Sequence, residues 1–379
     1  MAERVLVLTV SAGGGHVRAG QALEAVFRHD WAGTVEVECA DAMDFAPAGF
    51  REAYCDGFLK LVRHSPDMWA WMYNLFDRKP LDSKTQRVRR ALERLGTRAI
   101  VKRVLALRPG RVVCTHFLPA ELLSGRRVAG ALGAPLSVVI TDFVVHTMWV
   151  HPGVDRYFVA AEELVPSLIG RGVPAERITA SGIPVMPAFS QPPPRALAAR
   201  ELGLSPDVPT VLLLSGGFGV SDLSGIAERI LRLPGQFQVV ACAGRNQGLL
   251  QQLVALSQTD LANRGGRRLV PQPYTTTIER VMAAADIAVT KPGGLTTSEC
   301  LAMGLPMLVN SPIPGQEDRN CDYLLENGAA WKAQDVESLA FKLQRLLSDP
   351  AARKTMADSA RKLARPNAAR QVAAAVLNT

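Results

Sequence analysis

The chain has 379 residues, of which 48% are hydrophobic and 21% charged, and its formal net charge is +8. One core seldom supports more than roughly 250 residues, so we expect two domains. No run approaches the roughly 18 apolar residues of a spanning helix, and no secretory signal precedes the first strand, which argues against a membrane-spanning or exported chain. The basic charge suggests an anionic partner, with nucleic acid, an acidic membrane surface and a phosphorylated ligand as candidates.

The first half of the chain alternates short apolar strands with helices. The sequence predicts a strand over Arg4–Val10, a glycine loop, a helix over Val17–His29, and four further strands at Val35–Cys39, Val112–Thr115, Leu136–Thr141 and Tyr157–Ala160. Alternation of this kind predicts a parallel sheet with helices on both faces.

The second half repeats the pattern. It opens with a strand over Thr210–Leu214, a glycine loop and a helix over Ser221–Leu233, followed by strands at Gln238–Cys242, Asp286–Thr290 and Pro306–Asn310. The most proline-dense stretch, 182–194, lies between the halves. We therefore predict an α/β chain of two Rossmann-like doubly wound domains, 1–187 and 188–379, facing a central cleft. The Ala/Arg-rich segment Asp349–Thr379 closes the second domain or crosses back to the first.

The first glycine loop, Gly13-Gly14-Gly15, runs directly into His16. It matches neither the dinucleotide fingerprint nor the phosphate loop that ends in Lys-Ser/Thr. Adjacent glycines let another molecule approach the backbone, although a tight strand–helix turn is the alternative. A helix N-terminus beside His16 would keep the imidazole neutral, and a neutral imidazole can accept a proton from an alcohol. His16 is the first candidate for a general base.

Asp142 follows the strand that ends at Thr141. It could orient His16, raise its basicity, accept the proton itself, or simply form a turn or helix cap. His146 and His151 lie close by in sequence, but no carboxylate-rich set accompanies them, so we predict no metal site. The six cysteines lack metal-binding spacing and are expected to be reduced core thiols.

A glycine turn in the second half resembles a diphosphate site. Lys291-Pro-Gly293-Gly294 opens a helix that carries Glu299, and Gln316 and Glu317 follow. Free N–H groups at a helix N-terminus can hold a diphosphate. Glu299 can accept two hydrogen bonds from a ribose diol, and Gln316 and Glu317 can bind hexose hydroxyls. This pattern predicts a nucleotide-sugar site.

Two other segments follow strands of the same half. Ser215-Gly216-Gly217-Phe218-Gly219 is the second glycine loop, and Arg245 and Asn246 follow the next strand. Arg245 and Asn246 could contact donor oxygens or cap the following helix.

Two segments of the first half favour a membrane surface. Phe58–Phe76 is apolar, contains Trp69 and Trp71, and is flanked by basic residues, a combination typical of the membrane–water interface. From Arg78 to Arg111 there are twelve basic residues against two acidic ones, with basic side chains recurring at helical spacing, notably Arg87, Arg90 and Arg94. A buried core helix and an ordinary surface helix are the respective alternatives.

Taken in order, these motifs resemble the family of monogalactosyldiacylglycerol synthases and processive diacylglycerol glucosyltransferases. The resemblance covers nearly the whole chain and rests on an ordered set: Ser11-Ala-Gly-Gly-Gly-His16, Thr141-Asp-Phe143, Trp149-Val-His-Pro152, Gly182-Ile-Pro184, Gly244-Arg-Asn246, Lys291-Pro-Gly-Gly294, Glu299 and Ile313-Pro-Gly-Gln-Glu317.

The resemblance implies a two-domain glycosyltransferase of the GT-B fold, a UDP-sugar held mainly by the C-terminal domain, a lipid acceptor on the N-terminal one, and inversion at the anomeric carbon without a metal. It implies His16 as the base, assisted by Asp142, and Gly14 and Gly15 on the acceptor side. The implied donor residues are Gly216, Gly217, Phe218, Gly219, Arg245, Asn246, Lys291, Gly293, Gly294, Glu299, Gln316 and Glu317, with Tyr274 and Thr275 flanking the uracil.

We therefore expect a peripheral protein at the cytoplasmic face of the membrane that transfers a hexose from a UDP-hexose to diacylglycerol. The UDP-sugar is a co-substrate, and no cofactor is expected. Anionic lipids are predicted partners and nucleic acid is not, because no recognition motif accompanies the charge. Two alternatives stay open: transfer to another lipid-linked acceptor such as a peptidoglycan precursor, or a UDP-sugar epimerase or binding protein.

Overall fold

The computed structural model describes residues 2–78, 97–215 and 222–379. The chain separates into two units. Unit 1 comprises Met1–Pro187, Pro314–Gln316 and Pro366–Thr379, and unit 2 comprises Ala188–Ile313 and Glu317–Arg365.

Each unit contributes six strands to one sheet. The strands of unit 1 are β1 (Glu3–Thr9), β2 (Val35–Asp41), β3 (Arg111–Cys114), β4 (Leu136–Val139), β5 (Arg156–Val159) and β6 (Ile178–Ala180). Those of unit 2 are β7 (Thr210–Leu214), β8 (Gln238–Gly244), β9 (Arg268–Pro273), β10 (Ile287–Thr290), β11 (Met307–Asn310) and β12 (Ala330–Ala333).

Helices connect the strands along the described chain. In the first part they are α1 (Gly14–Asp30), α2 (Ala48–Arg51), α3 (Gly57–His64), α4 (Pro66–Arg78), α5 (helical over 97–107), α6 (Phe117–Val128) and α7 (Val165–Ile169). A π-helical turn, Glu52–Asp56, joins α2 to α3. The remaining helices are α8 (Arg195–Glu201), α9 (Leu223–Leu231), α10 (Gln247–Ser257), α11 (Asp260–Asn263), α12 (Ile278–Ala283), α13 (Gly294–Ala302), α14 (Gln316–Glu326), α15 (Val336–Ser348), α16 (Pro350–Leu363) and α17 (Ala368–Leu377).

The sheet of unit 1 has the strand order β2-β1-β3-β4-β5-β6, and all its pairings are parallel. Leu8 of β1 pairs with Cys114 of β3, and Cys114 pairs with Val138 of β4, so these three strands end at one edge. The order reverses between β1 and β3. Ligands bind at such a switch point, outside the carboxyl ends of the strands.

The sheet of unit 2 has the order β12-β11-β10-β7-β8-β9, again all parallel. This is the strand order of a dinucleotide-binding sheet, and its switch point lies between β7 and β10. The buried cluster beneath it includes Val211, Val239, Ile287 and Leu308 from four different strands. Because these strands are covered on both faces, they consist of continuous apolar runs.

The predicted strands are all present, with boundaries that differ by at most two residues. Three strands were missed, namely β6, β9 and β12, and all three lie at a sheet edge. The first predicted helix starts three residues earlier than expected, at Gly14, so that His16 lies in its first turn.

The C-terminal helix does not follow the predicted domain boundary at residue 188. α17 belongs to unit 1, where Val372 and Val376 are buried with Val26 and Phe27 of α1. Assigning the whole of 188–379 to the second domain was therefore wrong for this helix. The open alternative, in which the chain crosses back to the first domain, is the one observed.

The six cysteines are free and five of them are buried, so most lie in the core as expected. Burial raises the pKa of Cys242 to about 12. Among the described residues, no helix combines the length and apolar character needed to traverse a bilayer.

Gly20 lets α1 approach the sheet closely. A Cβ atom at this position would lie 2.3 Å from Thr9 Cγ2 and 3.2 Å from Cys39 Sγ. Gly125 in α6 is exposed and has nothing within 4 Å of the corresponding point. A Cβ atom would therefore clash at Gly20 and would be accommodated at Gly125.

We predict that Gly20→Ala lowers the free energy of unfolding by about 1–3 kcal/mol, because the added methyl group overpacks the helix–sheet interface. Gly125→Ala should raise it by about 0.5–1 kcal/mol, because alanine is the better helix former. Urea unfolding followed by tryptophan fluorescence measures both. Equal stabilisation by the two substitutions would contradict the close approach at Gly20.

Candidate active site

His16 lies at the switch point of the unit 1 sheet. The loop after β1 brings it into the first turn of α1, and the residue after β3, Thr115, lies against it. Gly13 precedes the helix without a side-chain cap, and the first turn contains no acidic residue. The glycines shape this turn: a Cβ on Gly13 would lie 3.6 Å from His16 Nε2, whereas Gly14 faces open space.

Two residues hold the imidazole of His16 through Nδ1. The distance from Nδ1 to the carbonyl oxygen of Thr115 is 3.0 Å, and that to Thr141 Oγ1 is 2.7 Å. The Thr115 hydroxyl also donates to the backbone oxygen of His16, at 2.9 Å. Both the ring and the backbone of His16 are therefore fixed by the ends of β3 and β4.

Burial lowers the pKa of His16 below its ordinary value of 6.5, while the charge of Asp142 and the hydrogen bond to Thr115 act in the opposite direction. The imidazole is thus neutral near pH 7, as a general base must be. Asp142 acts on His16 through its charge, whereas Thr115 and Thr141 make the hydrogen bonds that orient the ring. A raised basicity of His16 is one of the alternatives that the sequence left open for Asp142.

His116 is a second histidine of this site, and the sequence reasoning missed it. Its ring centroid lies 4.6 Å from that of His16, in an edge-to-face arrangement. Nδ1 of His116 accepts the N–H of Leu118 at the start of α6, so the proton of the neutral ring is on Nε2. Burial lowers its pKa well below 6.5, and the neighbouring His16 lowers it further. The signal available in the sequence was a histidine directly after a buried strand.

Aromatic side chains surround the two histidines. Trp149 lies 6.3 Å from His16 between ring centroids, Phe117 lies 4.1 Å from His116, and Tyr54 lies 6.4 Å from His116. Tyr54 comes from the π-helical turn, a distortion frequently found at functional sites. Aromatic rings therefore pack beside the pair of histidines.

His146 is not placed to bind a metal. Its Nδ1 accepts the N–H of Met148 at 3.0 Å, and its Nε2 donates to the backbone oxygen of Tyr73 at 2.9 Å. Both ring nitrogens are therefore engaged. Within the described ranges, no cluster of three or more histidine, cysteine or carboxylate side chains suits a metal ion.

Polar contacts hold the aromatic helix α4 against the rest of unit 1. Asp77 accepts the N–H of Thr147 at 2.8 Å, and Arg171 lies 3.2 Å from the same carboxylate. The two tryptophans differ: Trp69 is half-buried beside Tyr73, and Trp71 is 64% exposed. A membrane-facing position thus suits Trp71 and its exposed neighbour Met68, and Trp69 only in part.

In unit 2, the predicted diphosphate turn lies at the switch point between β7 and β10. α13 begins after Gly293 with no side-chain cap and no acidic residue in its first turn. Lys291 directly follows β10 and is half-buried. Burial lowers the pKa of Lys291, and the charge of Glu317 partly offsets this. A helix N-terminus and a lysine together form an environment suited to an anion.

Glu317 and Asn320 of α14 support this turn. The buried carboxylate of Glu317 accepts the N–H of Ile313 through Oε2, at 2.6 Å, and its Oε1 lies 3.6 Å from the point where a Gly293 Cβ would be. The fully buried Asn320 donates through Nδ2 to the carbonyl oxygen of Pro292, at 3.0 Å. Asn320 had no sequence signal, since its partner is 28 residues away.

The other predicted donor residues occupy the same sheet edge. Glu299 is buried on the second turn of α13. The guanidinium of Arg245 lies over the ring of Tyr274, 4.6 Å from the centroid, and both side chains are exposed. Asn246 caps α10 by accepting the N–H of Leu249 at 3.0 Å, which is the alternative left open by the sequence. Thr275 bonds to the N–H of Thr277 at 3.1 Å.

Several predicted site residues lie outside the described residues. These are the donor-loop residues Gly216, Gly217, Phe218 and Gly219, and the basic residues Arg87, Arg90 and Arg94. Gln316 begins α14 and is half-buried, and Gly15 is half-buried in the first turn of α1.

Comparison with known families gives two matches, one to each half of the chain. Residues 16–185 match the family model of monogalactosyldiacylglycerol (MGDG) synthase, and residues 210–372 match that of the glycosyltransferase family 28 C-terminal domain. Processive diacylglycerol beta-glucosyltransferases of Bacillus mycoides and Bacillus cereus are each 27% identical over 379 residues, covering 99% of this chain and 93% of theirs.

Solved structures share the fold at low identity. MurG of Acinetobacter baumannii has a TM-score of 0.65 at 16% identity, and HepE of Anabaena in complex with UDP has 0.56 at 15%, each covering 100% of both chains. UDP-GlcNAc 2-epimerase of Neisseria meningitidis bound to UDP-GlcNAc has 0.60 at 13%, with the same coverage. Together with the two parallel sheets, these similarities confirm the predicted GT-B fold. They do not separate transferases from epimerases.

The family matches do separate them, because both belong to glycosyltransferases and together span most of the chain. This protein is a glycosyltransferase whose N-terminal half matches the MGDG synthase family and whose C-terminal half matches the family 28 C-terminal domain.

Proposed function

We propose that this protein transfers a hexose from a UDP-sugar to diacylglycerol, with inversion at the anomeric carbon and without a metal ion. The observation that carries the proposal is the oriented, neutral His16 at the switch point of a sheet in unit 1. The names of the full-length relatives support diacylglycerol as the acceptor.

In the proposed reaction, Nε2 of His16 takes the proton of the acceptor hydroxyl. The hydroxyl oxygen forms a bond to the anomeric carbon from the face opposite the diphosphate. The bond between that carbon and the diphosphate oxygen breaks, and its electron pair leaves with UDP. A single displacement of this kind inverts the configuration.

Residues of the second half of the chain would bind the donor. The N-terminus of α13 and Lys291 would stabilise the negative charge that develops on the diphosphate. Glu299 would bind the ribose, Gln316 and Glu317 the hexose hydroxyls, and Tyr274 and Thr275 the uracil. A fixed carboxylate at Glu317 supports its proposed role in binding the hexose, because the N–H of Ile313 already holds Oε2.

Unit 1 would bind the acceptor and contact the membrane. The aromatic rings beside His16 and His116 suit a lipid alcohol, and the exposed Trp71 and Met68 of α4 suit the headgroup region. Exposed basic residues such as Arg98 and Lys102 of α5 would be attracted by anionic lipids of the cytoplasmic leaflet. We therefore propose a peripheral protein at that leaflet.

The proposal is tested by incubating the purified chain with diacylglycerol vesicles and UDP-glucose or UDP-galactose labelled in the hexose. We expect labelled glycolipid that extracts into organic solvent, with a β-linked sugar from the α-linked donor. Label on a peptidoglycan lipid precursor alone, or epimerised UDP-sugar with no lipid product, would contradict diacylglycerol as the acceptor.

His16→Ala should lower turnover by about a hundredfold to ten-thousandfold, the range typical of a lost general base, and UDP affinity should be unchanged. His29→Ala is the matched control, since His29 is exposed at the end of the same helix. Turnover of the His16 variant equal to that of the control would remove His16 from this role.

A further inference from the structure

Two threonines from adjacent strand ends hold His16. β3 is followed by Thr115, whose carbonyl oxygen lies 3.0 Å from Nδ1, and β4 is followed two residues later by Thr141, whose Oγ1 lies 2.7 Å from the same nitrogen. Thr141 is 4% exposed, so its hydroxyl faces the protein interior. The Thr141 contact is the shorter of the two, and it is made by a side chain that substitution can change.

The identity of the two partners determines which nitrogen carries the proton. A carbonyl oxygen can only accept, so the 3.0 Å contact with Thr115 requires a hydrogen on Nδ1. With that hydrogen in place, the Thr141 oxygen shares it as a second acceptor. In the neutral ring, Nε2 then carries the lone pair. Nε2 lies beside the glycine turn, 3.6 Å from the position of a Gly13 Cβ.

We propose that Thr141 is a positioning residue for the transfer reaction: its hydroxyl oxygen is the second acceptor of the His16 Nδ1–H, orients Nε2 as the base, and stabilises the imidazolium formed when Nε2 takes the acceptor proton. The inference rests on the proposed function for its catalytic meaning. The tautomer and the hydrogen bond can be measured without any turnover.

The charged and titratable groups around His16 are few in the described structure. Asp142, after β4, raises the pKa of His16 by its charge. His116, after β3, is held neutral by burial, which lowers its pKa well below the ordinary value. Thr141→Val removes one acceptor, keeps the side-chain shape, and leaves both neighbours in place. The substitution therefore isolates the hydrogen bond.

The first measurement is NMR of chain labelled with ¹⁵N in its six histidines, with the His16 signal identified from His16→Gln. In the wild type we expect the neutral His16 ring to carry its proton on Nδ1. In Thr141→Val the pKa of His16 should fall by about half a unit to one unit, because a hydrogen bond to a charged group is lost. Thr141→Ser should restore the pKa towards the wild-type value.

Thr9→Val is the matched control. Thr9 ends β1 at the same sheet edge, is 2% exposed, and donates to the backbone oxygen of Ala40 rather than to His16. We expect no change in the pKa of His16 in this variant. The remaining histidine signals report whether each variant keeps its fold.

Kinetics provides the second readout. The acidic limb of the kcat/KM profile should move to lower pH in Thr141→Val, together with a lower plateau, whereas a purely structural loss would lower the plateau without moving the limb. Wild-type His16 protonated on Nε2, or an unchanged pKa in Thr141→Val, would overturn the proposal. Absence of sugar transfer would instead contradict the proposed function and leave the NMR result intact.

Discussion

Parallel pairing of the strands is the constraint on which the site residues depend. In each unit the carboxyl ends of the strands lie at one edge, and the loops diverge where the strand order reverses. In unit 1 this point brings together His16 after β1 and Thr115 after β3. In unit 2 it places Lys291 and the start of α13 directly after β10. Residues far apart in sequence thus become neighbours without any local signal.

Burial lowers the pKa of a basic side chain in both candidate sites. At His16, burial lowers the pKa and leaves a neutral ring, while Asp142 limits this effect and preserves basicity. At Lys291, burial also lowers the pKa, and the charge of Glu317 acts in the opposite direction. In each case a carboxylate counteracts the cost of removing a charge from water.

The sequence was sufficient to predict those strands that a local pattern marks. Buried strands such as β1 and β7 were predicted because they are continuous apolar runs followed by glycine loops. The missed strands β6, β9 and β12 lie at sheet edges, where one side faces solvent and the apolar pattern weakens. β9 also contains Pro271 and Pro273, which an edge strand tolerates and which disguise it in the sequence.

The candidate sites were predictable only in outline. Glycine turns indicated where a ligand could approach, and His16 and Glu299 stood out by residue type. Thr141, His116 and Asn320 did not, because their roles depend on partners 125, 100 and 28 positions away. The helix α17 illustrates the same limit, since nothing in its Ala-rich sequence specifies packing against α1.

We propose that unit 2 binds a uridine diphosphate sugar through the turn before α13. Isothermal titration of UDP into the intact chain tests it most directly. We expect saturable binding to one site. Glu299→Gln should weaken it about tenfold to a hundredfold, because hydrogen bonds to a charged acceptor are lost, whereas the exposed Glu326→Gln should leave it unchanged. No heat with the wild-type chain, or equal affinity in both variants, would contradict it.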